Sequence, residues 1–453
     1  MKRVSSAGLA ASPSAGRYLE RQAELCREAV CALLRECLGG RRPADRVLLA
    51  LFRSRRELGG RDRRLISETS FALLRWWGWL RVLAPNPEQV PAALLVAATV
   101  LEGLPLPAAG AVWLRECGLS AAEIERLAAL PEPHSRWLAL APRLGVAEGD
   151  VPLAALVPPW FLSELVPCPR PFRELLSWLQ RRPPVWLRVQ RGARDPLVRE
   201  LQAAGFPARP HPRLVHALDL GRPPRDLRPL PAYREGRVEV QDLASQAIGQ
   251  VCSARAGQRW WDACAGGGGK TLHLAGSMEG KGSVLATDVR RAKLEELRRR
   301  ARRAGLCNIR VRPWSGETPD PRQAAFDGVL VDVPCSGSGT WRRNPDARWR
   351  IEPETLDELV ALQGRLLAAA AQAVRPGGAL VYATCSLLAR ENEGQIAAFL
   401  TARSDFALEL FEHPLKGEPC ATGMLQIWPW DGDCDAMFVA RLRRGARGTG
   451  QPG

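Results

Sequence analysis

The sequence predicts a multidomain chain. An all-α domain is expected over residues 1–150, a small α+β module over 151–235 and a doubly wound α/β domain over 236–445. Three observations carry this. The 453 residues are too many for one compact core. Apolar residues recur at three-to-four spacing to about residue 145, the period of a helix face. From Gly236 onward, short β-rich runs alternate with helical patterns, the sign of parallel strands joined by crossover helices.

A leader rich in Ser, Ala, Gly and Pro precedes a helix from about Arg17. Its Ala23, Cys26, Val30, Leu33, Leu34 and Cys37 make one apolar face, and Gly39-Gly40 ends it. A second helix is expected over 44–58 and a third from Arg61 through Leu74 to Trp79, with further helical patterns over 91–101 and 121–130. Pro152, Pro158, Pro159, Pro167, Pro169 and Pro171 mark a boundary. The following elements are short: a strand over 185–189, a helix over 195–204 and a strand over 214–220. In the last part, strands are expected over 259–262, 283–288, 308–311, 326–332 and 379–384. Helices fall over 270–277, 290–304 and 354–374, the last ended by Pro376-Gly377-Gly378. A strand over 437–442 is expected to close the sheet at its edge.

The net charge of +16 points to a polyanionic partner, and nucleic acid is favoured over a neutral substrate. Arginine supplies nearly all of it, since only five lysines occur. Arg53-Ser-Arg-Arg and Arg61-Asp-Arg-Arg are candidate RNA contacts, against the plainer reading of a solvated helix face. The twelve cysteines include no C-x-x-C pair and no Cys/His cluster with zinc spacing, so no metal site is expected. Several lie among apolar helix positions and read as reduced core residues, which suits the cytoplasm. The charged N-terminus is followed by no apolar run, which argues against a signal peptide. The apolar stretch 92–101, broken by Glu102, Pro105 and Pro107, is too short to span a bilayer. A monomer without membrane contact is expected.

Chemistry concentrates in the α/β part. Cys335 in Asp332-Val-Pro-Cys335-Ser-Gly and Cys385 in Ala383-Thr-Cys385-Ser386 each follow an expected strand. Ligands in such sheets bind outside the carboxyl ends of the strands, so two thiols at that edge suggest covalent chemistry. Upstream, Trp260-Trp-Asp262 runs into Ala263, Cys264, Ala265, Gly266, Gly267, Gly268, Gly269 and Lys270, a strand, glycine loop and helix start. The stretch before Gly269-Lys270-Thr271 lacks the leading glycine of a P-loop. Asp288 ends the next strand, where an acid accepts hydrogen bonds from ribose hydroxyls, so a nucleoside cofactor is favoured over phosphate. Capping the following helix is the plainer role for Asp288. Cys264 and Cys307 read as structural thiols.

These segments resemble the RsmB/NSUN family of RNA cytosine-C5 methyltransferases. The resemblance spans nearly the whole chain and is strongest over 240–400. It rests on Val240-Gln-Asp242-Leu-Ala-Ser245-Gln246, the Cys264–Lys270 loop, Asp332-Val-Pro-Cys335-Ser-Gly-Ser-Gly-Thr340 and Arg342-Arg-Asn-Pro345-Asp346-Ala-Arg-Trp349. It continues in Gly377-Gly378, Tyr382-Ala-Thr-Cys385-Ser386 and Glu391-Asn392-Glu393. Arg61-Asp-Arg-Arg-Leu-Ile66 and Leu73-Leu-Arg75 look like the NusB-like helical domain of the bacterial RsmB-type enzymes.

The resemblance implies a Rossmann-like C-terminal domain that transfers a methyl group from S-adenosylmethionine to C5 of a cytosine, with 16S ribosomal RNA as the expected substrate. By the same analogy Cys385 is the nucleophile that adds to C6, and Cys335 assists loss of the C5 proton and release of the RNA. Asp332 hydrogen-bonds the edge of the base and lines the cofactor site. Lys270 orients catalytic groups or favours a thiolate. Arg342, Arg343 and Arg348, close to this site in sequence, are candidate phosphate contacts. The chain departs from the family at Gly267, where proline is usual, and at Gln190, where asparagine is typical. In Pro313-Trp314-Ser315-Gly316-Glu317, Ser315 stands near where an acid commonly sits. A transfer-RNA methyltransferase of the same chemistry and a non-catalytic ribosome-assembly factor are the alternatives.

Overall fold

The structure is a computed structural model and describes residues 13–84, 86, 89–147, 152–316 and 326–446. The leader, up to residue 12, and Glu317 lie outside the described residues. The chain divides into two units, Met1–Pro159 with Asn344–Arg350, and Trp160–Arg343 with Ile351–Gly453.

The first unit is helical: Pro13–Leu34, continued by a π-helical turn Arg35–Gly39, then Ala44–Ser54, Gly60–Leu80, Ala92–Glu102, Gly110–Cys117, Ala121–Ala128 and Pro133–Leu140. The apolar face expected on the first helix is buried throughout, cysteines included. The apolar stretch at 92–101 becomes the core helix of the unit, with every residue from Leu94 to Leu101 buried. A helix apolar all round has to be enclosed. No described helix is long and apolar enough to cross a membrane. Glu102 ends that helix, where the helix dipole disfavours an anion. Arg75 at 3.2 Å and the Trp76 indole N–H at 3.1 Å offset this. Of the arginine clusters, Arg63 donates to the Leu58 and Phe52 carbonyls, and Arg64 pairs with Glu68. Arg53, Arg56 and Arg61 remain exposed.

Asn344–Arg350 packs with these helices although its neighbours in sequence belong to the second unit. Arg348 is fully buried and donates to the carbonyls of Leu156, at 2.8 Å, and Arg75. The Trp349 indole donates to Leu74 O at 2.8 Å, and Asp346 accepts from the Ala44 amide. Burial pushes the Arg348 guanidinium down to about 9, with Arg75 adding to the effect. This corrects the expectation that Arg348 meets RNA phosphate: its guanidinium is wholly enclosed and Nη1 is turned to carbonyls inside the protein.

In the second unit, after the helices Phe161–Glu164 and Phe172–Gln180, comes a small antiparallel sheet of β1 (Trp186–Val189), β2 (Arg209–Pro210), β3 (Ala217–Asp219) and β4 (Val238–Val240), in the order β2-β3-β1-β4. The main sheet holds β5 (Arg259–Asp262), β6 (Ser283–Asp288), β7 (Ile309–Pro313), β8 (Phe326–Asp332) and β9 (Val374–Thr384), all parallel where they pair. The remaining strands are β10 (Phe406–Leu408), β11 (Phe411–Glu412), β12 (Pro419–Cys420), β13 (Met424–Ile427) and β14 (Met437–Arg444). The main sheet runs β10-β14-β9-β8-β5-β6-β7, with β13 also on β14, while β11 and β12 pair apart. Alternate residues feed two cores. Trp260, Leu330, Val381 and Val439 face one, and Trp261, Val331, Leu380 and Phe438 the other. Burial on both faces is why these strands read as continuous apolar runs. Gly328 is obligatory here, since a Cβ would stand 2.3 Å from the Trp260 ring.

Two expectations are corrected. The strand near 437–442 is interior: β14 pairs with β9 on one side and with β13 and β10 on the other. Those two outer strands have three and four residues, too few for a period-two signal. The long helix is Pro353–Ala371, and β9 already begins at Val374. Pro376-Gly377-Gly378 therefore lies within the strand, where the β8–β9 register shifts, instead of capping the helix.

Replacing Arg348 by Ala leaves two buried carbonyls without their donor. It is expected to cost ~2–4 kcal/mol of stability in urea unfolding. A cost below about 1 kcal/mol would show that the segment does not hold the helices.

Candidate active site

The strand order reverses between β8 and β5, so the loops after β5, β6, β8 and β9 gather at one edge. After β5, the loop turns through Gly266 and Gly268, both left-handed at φ 52° and 87°. A Cβ on Gly268 would meet Leu297 at 2.6 Å, so this residue lets the loop close onto the helix Arg291–Ala304. At Gly266 the nearest side-chain atom to a Cβ would be 3.8 Å away, which leaves the backbone open to a ligand. Asp288, at the end of β6, accepts the Gly266 amide at 2.9 Å and the Arg290 amide at 2.8 Å. Burial opposes ionisation of Asp288, but the bonds from Arg290 hold its carboxyl below the usual range. Trp314 packs edge-on against Trp261 at 4.9 Å, and exposed Ser315 follows it.

After β8 and β9 stand the thiols. Cys335 and Cys385 are both half-buried, with their sulfurs 3.4 Å apart. Beside them Lys270 donates to Asp332 at 2.7 Å. Burial alone would lower the Lys270 ammonium, but the Asp332 charge raises it, so it stays a cation. Cys335 is held well above the usual thiol range, first by its hydrogen bond with Cys385, then by burial and by the charges of Cys385 and Glu391. The geometry thus brings Lys270, Asp332, Cys335 and Cys385 together. Cys264 lies on the glycine loop, where burial raises its thiol far out of the reactive range. Cys307 is exposed and donates weakly to Gly305 O. All twelve cysteines are free, and the described residues form no metal-ligating cluster.

Arg342 and Arg343 require the same correction as Arg348. Arg342 is fully buried, donates to Arg181 O at 3.1 Å and Cys434 O at 2.7 Å, and pairs with Asp433. Arg343 bridges Asp242 at 2.8 Å and Asp435 at 3.1 Å, and Asp435 first of all raises its guanidinium. An arginine run beside a site looks basic in sequence whether or not carboxylates from distant segments neutralise it.

Two features were not singled out from sequence. Arg188 on β1 is fully buried and donates to Gly269 O at 2.9 Å and to the side chains of Gln190 and Gln241. Gln190 in turn donates to Leu272 O at 3.1 Å, so it braces the helix after the glycine loop. An arginine inside the apolar run Trp186-Leu-Arg-Val189 was the available signal. Glu391 lies behind both thiols, its carboxylate fully buried. Nothing in Arg390-Glu391-Asn392-Glu393 marks one acid as interior.

Asp262 ends β5 fully enclosed, with Oδ2 accepting from Thr271 at 2.6 Å and Oδ1 without a partner. Burial pushes its carboxyl up to about 7. The folded state therefore favours the protonated acid. That contribution is complete below the unfolded carboxylate range near pH 4 and is lost as pH rises to about 7. Asp262→Asn should gain stability relative to the parent between about pH 4 and about pH 7, read from urea midpoints. A pH-independent difference would refute this account.

The profile of the family described as 16S rRNA methyltransferase RsmB/F matches residues 250–443. The ribosomal RNA small subunit methyltransferase B of Klebsiella pneumoniae (strain 342) is 34% identical over 292 residues, 63% of this chain and 66% of that protein. The probable ribosomal RNA small subunit methyltransferase B of Synechocystis is 38% identical over 238 residues, 51% of this chain and 53% of the relative. The crystal structure of PH0851 superposes with a TM-score of 0.74 at 24% identity, covering 93% of this chain and 99% of that one. The structure of NSun6 from Pyrococcus horikoshii with SFG reaches 0.52 at 20% identity, covering 60% and 93%. The cofactor of such a domain is S-adenosylmethionine. The residues present fit it: an open glycine cradle at Gly266, the Asp288 carboxylate beside it, and the buried Asp262 Oδ1 free to accept a donor. Residues 250–443 of the chain belong to the RsmB/F family of methyltransferases.

Proposed function

We propose that the chain methylates C5 of a cytosine in 16S ribosomal RNA through a covalent bond between Cys385 and C6 of the base. The observation that carries this reading is the thiol pair, 3.4 Å apart at the ends of adjacent parallel strands and beside the Lys270–Asp332 ion pair. One thiol at a strand end is ordinary; two within reach of one base atom call for divided roles.

S-adenosylmethionine, when bound, supplies an electrophilic methyl group. Gly266, Gly267, Gly268, Gly269, Asp288 and Asp332 would hold it, with Cys264 and Ala265 contributing backbone. The Cys385 thiolate adds to C6, which moves the C5–C6 π electrons onto C5 and turns a poor nucleophile into an enamine. Asp332 hydrogen-bonds the polar edge of the cytosine and stabilises that adduct. Lys270 keeps Asp332 oriented and places a cation beside Cys385. After methylation, Cys335 assists loss of the C5 proton to solvent, and the C–H electrons restore the C5–C6 double bond as the S–C6 bond breaks and Cys385 leaves as a thiolate. Cys335 assists by hydrogen-bonding the departing sulfur.

The helical unit serves as a NusB-like RNA-binding domain, and the module over 151–235 helps choose the RNA. The net charge of +16 suits that partner. A reducing cytoplasm suits twelve free cysteines.

Cys385→Ala is expected to abolish methylation of small-subunit RNA. Cys335→Ala is expected to accumulate a covalent protein–RNA species on denaturing gels in the presence of cofactor. Full turnover by Cys385→Ala would overturn the mechanism. Bisulfite sequencing of total RNA with and without the gene locates the modified cytosine, and a site in transfer RNA would replace the substrate assignment.

A further inference from the structure

The Glu391 carboxylate is fully buried, yet the partners that hold its oxygens are all neutral donors: the Ser336 amide, the Ser336 and Ser386 hydroxyls and the Gln363 amide. Burying an acid without a counter-charge is costly unless donors satisfy its oxygens. Here four do. Oε1 accepts from the Ser336 amide and from Gln363 Nε2, both at 2.8 Å. Oε2 accepts from the hydroxyls of Ser336 and Ser386, both at 2.5 Å, the short spacing of charge-assisted O–H bonds. Ser336 follows Cys335 and Ser386 follows Cys385 in the chain. One carboxylate thus grips the residue after each thiol. Gln363 also donates to Pro334 O at 2.9 Å, so the Cys335 loop is held from both sides.

We propose that Glu391 is the positioning residue of the thiol pair, tying the Cys335 loop to the Cys385 loop and giving the two sulfurs unequal electrostatic surroundings. The inference rests on the reading above, in which Cys385 is the nucleophile. Glu391 accepts from both the amide and the hydroxyl of Ser336 but only from the hydroxyl of Ser386, and its charge acts on Cys335, while the Lys270 ammonium acts on Cys385. Across the 3.4 Å gap this arrangement favours the protonated form of Cys335. Family analogy could name the nucleophile; Glu391 supplies a physical reason why the other thiol does not compete.

The test uses the full chain without RNA or cofactor. Iodoacetamide labelling of each cysteine is followed by peptide mass spectrometry from about pH 6 to about pH 9, the range over which thiols titrate. Of the two paired thiols, the parent should label Cys385 before Cys335. Glu391→Gln removes the charge and is expected to speed Cys335 labelling about tenfold near pH 8, shifting its pH profile down by about one unit. Glu391→Asp, which keeps the charge, should restore the order. Unchanged preference in folded Glu391→Gln protein would overturn the proposal. Should that variant fail to fold, Ser386→Ala cuts the link to the Cys385 loop and leaves the charge. It is expected to shrink the preference severalfold, and an unchanged preference would again overturn the proposal. Labelling needs no substrate, so this result is independent of whether Cys385→Ala abolishes RNA methylation.

Discussion

The parallel pairing of β8 with β9 is the constraint on which the site depends. Its register sets Asp332 opposite Ala383, and the Val333 amide continues the ladder to Ala383 O at 3.1 Å. Both strands then end at the same height, with Cys335 three residues beyond β8 and Cys385 directly after β9. On its other side β8 is held close to β5 by Gly328 under the Trp260 ring, and two apolar cores grip the whole sheet. A one-residue slip would turn every side chain of one strand to the opposite face and separate the thiols. The 3.4 Å sulfur spacing is therefore a property of the sheet as much as of the loops.

Around this edge the protein spends buried polar groups with little slack. Arg188 braces the first turn after the glycine loop from β1, Lys270 is matched by Asp332, and Glu391 is matched by four neutral donors. Each group would be destabilising alone in a low-dielectric interior and is acceptable only with its partners. The partners come from distant parts of the sequence, so the site exists only in the folded second unit. Asp262 Oδ1, at the end of β5, is a buried acceptor left without a donor.

Arginine 342, 343 and 348 are the clearest misreading. In sequence they form a basic run just beyond Cys335. In the structure Arg342 and Arg343 are neutralised by Asp433, Asp242 and Asp435, and Arg348 serves two carbonyls among the helices of the first unit. Charge counts along a chain cannot report which carboxylates will fold against it. The interior position of β14 was hidden for a similar reason, since the strands that cover it are too short to carry a period.

What the sequence determined alone is local chemistry and local period. Strand ends at Asp262, Asp288 and Asp332, the glycine loop, and two cysteines beyond apolar runs were legible because parallel strands buried on both faces leave continuous apolar signatures. What only the tertiary structure decided is which of those groups meet and what each one feels. The unequal surroundings of Cys335 and Cys385 arise from Glu391 and Lys270, which lie 56 and 115 residues along the chain from the thiols they act on. Electrostatic influence falls with distance through space and dielectric, not with separation in sequence.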